Sequence, residues 1–70
     1  MQEIQRKLGG NVRKLRKKKG WSQDEFADRS GLHRGHVGEI ERGETNVTLQ
    51  TLNTLKDTLG CRIVDLVKGL

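Results

Sequence analysis

The sequence predicts an all-α domain of five short helices, and three observations support this fold class. Apolar residues recur three and four positions apart, which is the spacing of a helix that buries one face. Gly20, Gly31, Gly43 and Gly60 each follow such a stretch, where glycine commonly ends a helix. Sustained apolar–polar alternation and Asn-Gly or Asp-Gly hairpin turns, the usual signs of strands, are absent from the sequence.

The first segment covers about residues 2–19. Its apolar stripe consists of Ile4, Leu8, Val12 and Leu15. Gly9 and Gly10 interrupt this stripe. Because glycine is a poor helix former, we expect these two residues to weaken the first turn of the helix.

The second segment opens at Ser22, whose hydroxyl can accept hydrogen bonds from the first free amides of a helix. Glu25 stands three residues later and predicts a capping box, while Asp24 adds an acid at the positive end of the helix dipole. Phe26 and Ala27 are expected to face inward, and the segment ends near residue 30.

The third segment runs over about residues 33–42, with Val37 and Ile40 on its inner face. Its other side consists of Arg34, Gly35, Gly38, Glu39 and Arg42. A capped helix, a glycine turn and a second helix form a helix-turn-helix, expected here over about residues 22–42. Because a major groove about 12 Å wide admits one helix, the third segment is the candidate for contacting base edges.

The last two segments complete the predicted core. Thr48 can cap the fourth helix, and the fifth helix covers about residues 62–68. The fourth helix carries an apolar stripe of Leu49, Leu52, Leu55 and Leu59. The fifth carries Ile63, Leu66, Val67 and Leu70. All five segments are expected to share one core in a single domain, residues 1–70.

The charge of the chain is unevenly distributed. The net charge is +5, and the first 19 residues contain eight Lys or Arg and one acid. A localised basic face favours a polyanionic partner, whereas a solvated helix face is the alternative interpretation. Trp21 and Phe26 are the only aromatic residues, which argues against single-strand binding by base stacking.

Size and composition indicate a small cytoplasmic protein. A chain of 70 residues buries a small core, so association with a second copy would add stability. No apolar run approaches the ~20 residues that cross a bilayer, and the N-terminal stretch MQEIQRKLGG lacks the apolar centre of a signal peptide. Cys61 is the single cysteine, so we expect no intrachain disulfide and a cytoplasmic location.

Several short motifs carry more information through their joint spacing than singly. They are Ser22-Gln23, Phe26-Ala27, Gly31, Ile40-Glu41-Arg42-Gly43 and Leu59-Gly60. At this spacing, the stretch from residue 8 to about residue 67 resembles the Cro and phage-repressor type of helix-turn-helix, also called the xenobiotic-response-element family. The stretches GLHR and ERGETNVTL are similar to controller proteins of restriction-modification systems. The resemblance implies a five-helix, lambda-repressor-like DNA-binding domain of a transcriptional regulator.

The resemblance also implies roles for individual residues. The base-contacting residues would be His33, Arg34, Gly35, Gly38 and Glu39. The phosphate-contacting residues would be Gln23, Arg16, Lys17, Arg42, Asn46 and Thr48. Glu41 resembles the glutamate that pairs in this family with an arginine of the first helix, here Arg16. Arg34 is the strongest candidate for contacting a base edge, because a guanidinium can donate to guanine O6 and N7 at the same time. The alternative is that Arg34 contacts a phosphate or remains in solvent.

Three residues depart from the expected pattern. Gly35 and Gly38 lie inside the reading helix, where each costs about 1 kcal/mol relative to alanine. Either this helix approaches DNA closely, or its specificity rests on fewer side chains. Lys56 occupies a position where the family usually has an inward-facing alanine; either its ammonium reaches outward or the assumed register is wrong.

A homodimer is expected because one reading helix touches only a few base pairs. Two-fold dimers reach half-sites about 34 Å apart, so the partner would be palindromic double-stranded DNA. The expected interface is the apolar surplus near the C-terminus, namely Ile63, Val64, Val67 and Leu70. No cofactor, metal or small-molecule effector is expected.

Other function classes have less support in the sequence. It contains no phosphate-binding glycine loop and no nucleophile beside a base, so an enzyme is not expected. His33, His36 and Glu39 lie three residues apart and suggest a metal only weakly, because Cys61 is distant in sequence. The main alternative is an antitoxin-like or adaptor module that binds proteins, with DNA binding secondary. A salt-dependent gel shift separates the two, and competition by duplex RNA tests an RNA partner.

Overall fold

The structure, a computed structural model, describes residues 3–70 and confirms the all-α fold class. The helices are α1 (Glu3–Lys18), α2 (Gln23–Ser30), α3 (Arg34–Arg42), α4 (Leu49–Leu59) and α5 (Ile63–Val67). Each lies within about two residues of its predicted bounds, and residues 3–70 contain no strand. Met1 and Gln2, the expected start of the domain and of its first helix, lie outside the described residues.

All five helices contribute to one core. Its buried apolar residues are Val12, Phe26, Ala27, Val37, Ile40, Leu55, Leu59 and Leu66. Helix α1 packs against α3 and α5, and α2 packs against α3 and α4. The core therefore fixes the position of α3 from its inner side. Within residues 3–70, no helix combines the length and the apolar character that crossing a membrane requires.

Two predicted apolar stripes extend beyond the core. Ile4 near the start of α1 is 56% exposed, and Leu49 in the first turn of α4 is 85% exposed. Leu55 and Leu59, about two and three turns further along α4, are instead buried. The expectation that Leu49 packs inward is wrong, because helix periodicity identifies a face but not where the core beneath it ends.

The interruption of the apolar stripe at Gly9 and Gly10 does not break the helix, since α1 runs through both residues. Gly9 is buried where α1 meets the end of α3. A Cβ at Gly9 would lie 2.3 Å from the carbonyl oxygen of Ile40 and 2.6 Å from that of Glu41. Gly10 faces open space. Gly9 therefore allows the close approach of two helices.

The helix caps follow the sequence with one difference, at Glu25. The Ser22 hydroxyl accepts from the Glu25 amide at 3.0 Å, as predicted, and the Thr48 hydroxyl accepts from the Thr51 amide at 3.1 Å. The Glu25 carboxylate does not complete the capping box; it accepts from Arg29 at 2.8 and 3.1 Å. His33 occupies the N-cap position of α3 without a side-chain cap bond.

The Lys56 ammonium reaches outward, which favours the first of the two sequence-based interpretations of this residue over a wrong register. The side chain is half-buried, and its Nζ lies 2.7 Å from Asp57 Oδ1. The side chain is therefore partly buried while its charge stays at the periphery.

Candidate nucleic-acid interface

The turn between α2 and α3 presents α3 at the surface. Gly31 adopts a left-handed conformation at φ +78°, and its amide donates to the Ala27 carbonyl at 2.9 Å. Val37 and Ile40 are buried on the inner side of α3. The residues at the surface on its other side are Arg34, Gly35, Glu39 and Arg42. A helix with one side in the core and a polar side in solvent meets the steric requirement for a groove-reading helix.

A buried ion pair fixes α3 against α1. Arg16 Nε lies 2.6 Å from Glu41 Oε2, and a second guanidinium nitrogen donates to Oε1 at 3.0 Å. The third nitrogen donates to the Trp21 carbonyl at 2.8 Å. The exposed fractions of the Arg16 and Glu41 side chains are 8% and 3%. Gln23 Nε2 also donates to Glu41, at 2.9 Å, so α2 joins the same network.

This geometry bears on one sequence-based expectation. Arg16 forms the pair with Glu41, and each of its guanidinium nitrogens donates once to Glu41 or Trp21. These bonds use three of the five guanidinium N–H groups, so a phosphate contact by Arg16 stays a prediction. The sequence could not distinguish the two roles, because the burial of Arg16 depends on the packing of α1 against α3.

The network keeps Glu41 ionised. Burial raises the pKa of Glu41, but the hydrogen bonds from Arg16 and Gln23 and the guanidinium charge outweigh it and hold the pKa below its usual range. The hydrogen bond to Glu41 likewise raises the pKa of Arg16 against the effect of burial. Both groups are therefore charged at neutral pH, and the pair is electrostatically complete.

Two further ion pairs, which were not among the sequence-based predictions, flank the exposed side of α3. Arg34 Nε lies 3.1 Å from Asp24 Oδ1 at the start of α2. Arg42 donates to both carboxylate oxygens of Glu44, from Nε at 2.9 Å and from a terminal nitrogen at 3.0 Å. The proximity of Glu44 to Arg42 in sequence was a usable signal, whereas the pair with Asp24 depends on how α2 crosses α3.

The two glycines of α3 differ in their surroundings. Gly35 is exposed, and a Cβ there would meet no atom within 4 Å. Gly38 is buried beneath the two arginines. A Cβ at Gly38 would lie 2.8 Å from Nη1 of Arg42 and 3.3 Å from Nη1 of Arg34. The absence of a side chain at Gly38 therefore lets both guanidinium groups lie across the helix.

The remaining predicted contact residues lie at or near the surface. Lys17, His33, Glu39, Asn46 and Thr48 are exposed, and Gln23 is half-buried. Asn46 accepts a hydrogen bond from Gln5 of α1, and the Thr48 hydroxyl serves as the cap of α4. Glu39 lies 3.7 Å from His36 Nδ1.

The structure offers no arrangement of metal ligands among residues 3–70, including the grouping of His33, His36 and Glu39 considered from the sequence. Cys61 is half-buried against the core, and this burial raises the pKa of its thiol. Cys61 therefore acts as a small packing residue rather than as a reactive thiolate.

A short capped helix, a glycine turn and a second helix with a free polar side, all fixed by a buried ion pair, define a helix-turn-helix DNA-binding domain. The helix-turn-helix family matches residues 12–66 of the chain. The chain therefore belongs to this family, of the Cro and phage-repressor type, and is a sequence-specific DNA-binding transcriptional regulator.

Several known proteins are similar to this chain. The control protein C.SmaI of Serratia marcescens is 42% identical over 65 residues, covering 93% of this chain and 77% of that protein. The control protein C.MunI of a Mycoplasma species is 36% identical, covering 100% of this chain and 96% of that protein. The crystal structure of the restriction-modification controller protein C.AhdI from Aeromonas hydrophila has a TM-score of 0.84 and 41% identity, covering 87% of this chain and 92% of that chain.

Proposed function

We propose that the protein is a restriction-modification controller that binds a palindromic operator as a homodimer, with α3 of each protomer in the major groove. The observation that carries this proposal is the exposed polar side of α3, opposite the buried Val37 and Ile40. The names of the similar proteins, C.SmaI and C.AhdI, support the controller role. The proposed activity is binding without catalysis, in the cytoplasm where the operator would lie.

In this proposal, base edges face the first two turns of α3. Arg34 bonds O6 and N7 of a guanine, and the residues beside it are His33, Gly35, Gly38 and Glu39. Gly35 has no atom near its Cβ position, which supports close approach of the helix to a groove. The phosphate contacts come from Gln23, Lys17, Arg42, Asn46 and Thr48. The Gln23 amide donates one N–H to Glu41, which orients the second toward a phosphate.

Selection of bound duplexes from a random pool tests the proposed function directly, because it returns the site and its symmetry. Arg34→Ala should then relax the preference at one base per half-site and weaken binding by about 1–3 kcal/mol. Binding is measured by fluorescence anisotropy over a range of salt concentrations. Lys17→Ala is the matched control, since it should weaken all duplexes equally and reduce the log–log salt slope by about 0.9.

Two outcomes would contradict this assignment. If the wild-type protein ignores duplex DNA even at low salt, where phosphate contacts are strongest, the proposed function fails. If Arg34→Ala weakens every sequence equally, Arg34 is a phosphate contact rather than a base reader.

The proposed dimer interface is the apolar surface formed by α5 and the C-terminal residue. Val64 is 53% exposed, and Ile63 and Leu70 are also exposed, although Val67 is half-buried. Val67 and Leu70 line an apolar groove together with Ile4 and Leu8 of α1. Exposed apolar side chains this close together favour burial against a second copy. A two-fold axis here would use the same residues of both protomers.

Val64→Asp should convert the dimer to a monomer. Each symmetric interface would contain the new charge twice, so the dimer dissociation constant should rise about 100-fold or more. Sedimentation equilibrium measures the change. Leu49→Asp is the control, since Leu49 is equally apolar and 85% exposed but lies on α4. A wild-type protein that stays monomeric at several hundred micromolar would refute the proposed dimer.

A further inference from the structure

Two acidic residues hold the arginines of α3 in place. Asp24 approaches Arg34 through Nε, at 3.1 Å, and Glu44 binds Arg42 through Nε and one terminal nitrogen, at 2.9 and 3.0 Å. In both arginines the terminal nitrogen Nη1 lies close to Gly38, 2.8 Å from the Cβ position there for Arg42 and 3.3 Å for Arg34. The two guanidinium groups therefore both approach the bare helix backbone at Gly38, and each also contacts a carboxylate.

Charge explains why both acids are needed for this arrangement. Two guanidinium groups side by side repel each other, and the adjacent carboxylates of Asp24 and Glu44 offset that repulsion. The hydrogen bonds from Arg42 lower the pKa of Glu44, so this carboxylate is ionised at neutral pH. Without the carboxylates, the long arginine side chains would separate and bind individual phosphates.

We propose that Asp24 and Glu44 are positioning residues for DNA recognition, which hold Arg34 and Arg42 against Gly38 so that both guanidinium groups face the base edge, with Arg42 in this role instead of the phosphate contact. This inference rests on the proposed DNA interface and extends it to residues with no contact to DNA of their own. The expected effect of these acids on DNA-binding affinity is opposite to the one that their negative charge alone predicts. An acid near DNA normally weakens binding, whereas these acids strengthen binding to the correct sequence by preventing alternative phosphate contacts.

Asp24→Asn tests the sign of this effect. Binding of the full chain is measured against the duplex recovered by selection and against a scrambled duplex of the same composition. We expect Asp24→Asn to weaken binding to the selected duplex about 3- to 10-fold, because the bidentate contact loses its support, and to tighten binding to the scrambled duplex. Glu44→Gln should act in the same direction.

Asp28→Asn is the matched control for charge. Asp28 lies one turn after Asp24 on α2 and is exposed, so its substitution removes the same charge from the same helix. Asp28→Asn should tighten binding to the selected and the scrambled duplex by similar factors. If Asp24→Asn behaves like Asp28→Asn, or weakens both duplexes equally, the inference is overturned. If the wild-type protein does not distinguish the two duplexes, the proposed function itself fails.

Gly38→Ala tests the same inference without altering charge. Alanine favours a helix more than glycine does, so the melting temperature should not fall. Its Cβ would occupy the position 2.8 Å from Arg42 Nη1, which forces the flexible guanidinium to move. We expect the ratio of selected to scrambled binding to fall about 3- to 10-fold, as for Asp24→Asn. An unchanged ratio would show that the arrangement over Gly38 is not used.

Discussion

Replacing Glu41 by glutamine is expected to lower the free energy of unfolding by about 3–5 kcal/mol. The substitution leaves the Arg16 guanidinium, whose side chain is 8% exposed, buried without a counterion. Glutamine retains the volume and one acceptor, so the loss reports the missing charge rather than a cavity. Because small domains have a modest total stability, this variant should be largely unfolded near physiological temperature.

Urea unfolding followed through the single tryptophan measures this loss. Trp21 is a suitable probe, since its ring stacks on Phe26 with 6.2 Å between the ring centroids and its carbonyl accepts a hydrogen bond from Arg16. The double variant Arg16→Met with Glu41→Leu is the control. It should recover much of the stability, because apolar residues of similar volume often replace a buried ion pair without loss. A single Glu41→Gln variant within 1 kcal/mol of wild type would contradict the expectation.

The stability of the Glu41→Gln variant should depend on pH differently from that of the wild type. Because the folded-state pKa of Glu41 is lowered, its ionisation stabilises the fold fully above the ordinary glutamate value of about 4.3. That stability is lost as the pH falls through the lower, folded-state pKa. The difference between wild type and Glu41→Gln should therefore be constant near neutral pH and shrink on acidification below about pH 4.3.

The sequence is informative about the helices because their signals are local. Serine at the start of α2, threonine at the start of α4 and glycine at the ends of α2, α3 and α4 act on their own backbone. The division of α3 into an apolar side and a polar side is also readable from spacing. The exposure of Leu49 could not be predicted from spacing, since it depends on how far the core extends under α4.

The interface was predictable in outline but not in its contacts. The exposure of Arg34 follows from its register on α3, whereas its partner Asp24 lies on another helix. The burial of Arg16 similarly depends on the distance between α1 and α3, and so does the role of Gly9. Sequence patterns indicate which face of a helix is buried, but the distance between helices is set by packing.

The second large expected effect is the destabilisation caused by Gly9→Ala, which acts on the distance between α1 and α3. The new Cβ would lie 2.3 Å from the Ile40 carbonyl oxygen, and because this neighbour is backbone, α1 and α3 must separate. The second close atom is the carbonyl oxygen of Glu41, at 2.6 Å, so the movement also lengthens the Arg16–Glu41 pair. We expect a net loss of about 3 kcal/mol or more, against a gain of about 1 kcal/mol from helix propensity.

Gly10→Ala is the matched control, because it makes the same chemical change one residue further along the same helix. Gly10 has no atom within 4 Å of its Cβ position, so only the propensity of alanine acts and stability should rise by about 1 kcal/mol. Thermal and urea unfolding of the two variants should thus move in opposite directions. If both variants were stabilised, the close contact between α1 and α3 would not exist in solution. The burial of Arg16, which depends on that contact, would then have to be abandoned as well.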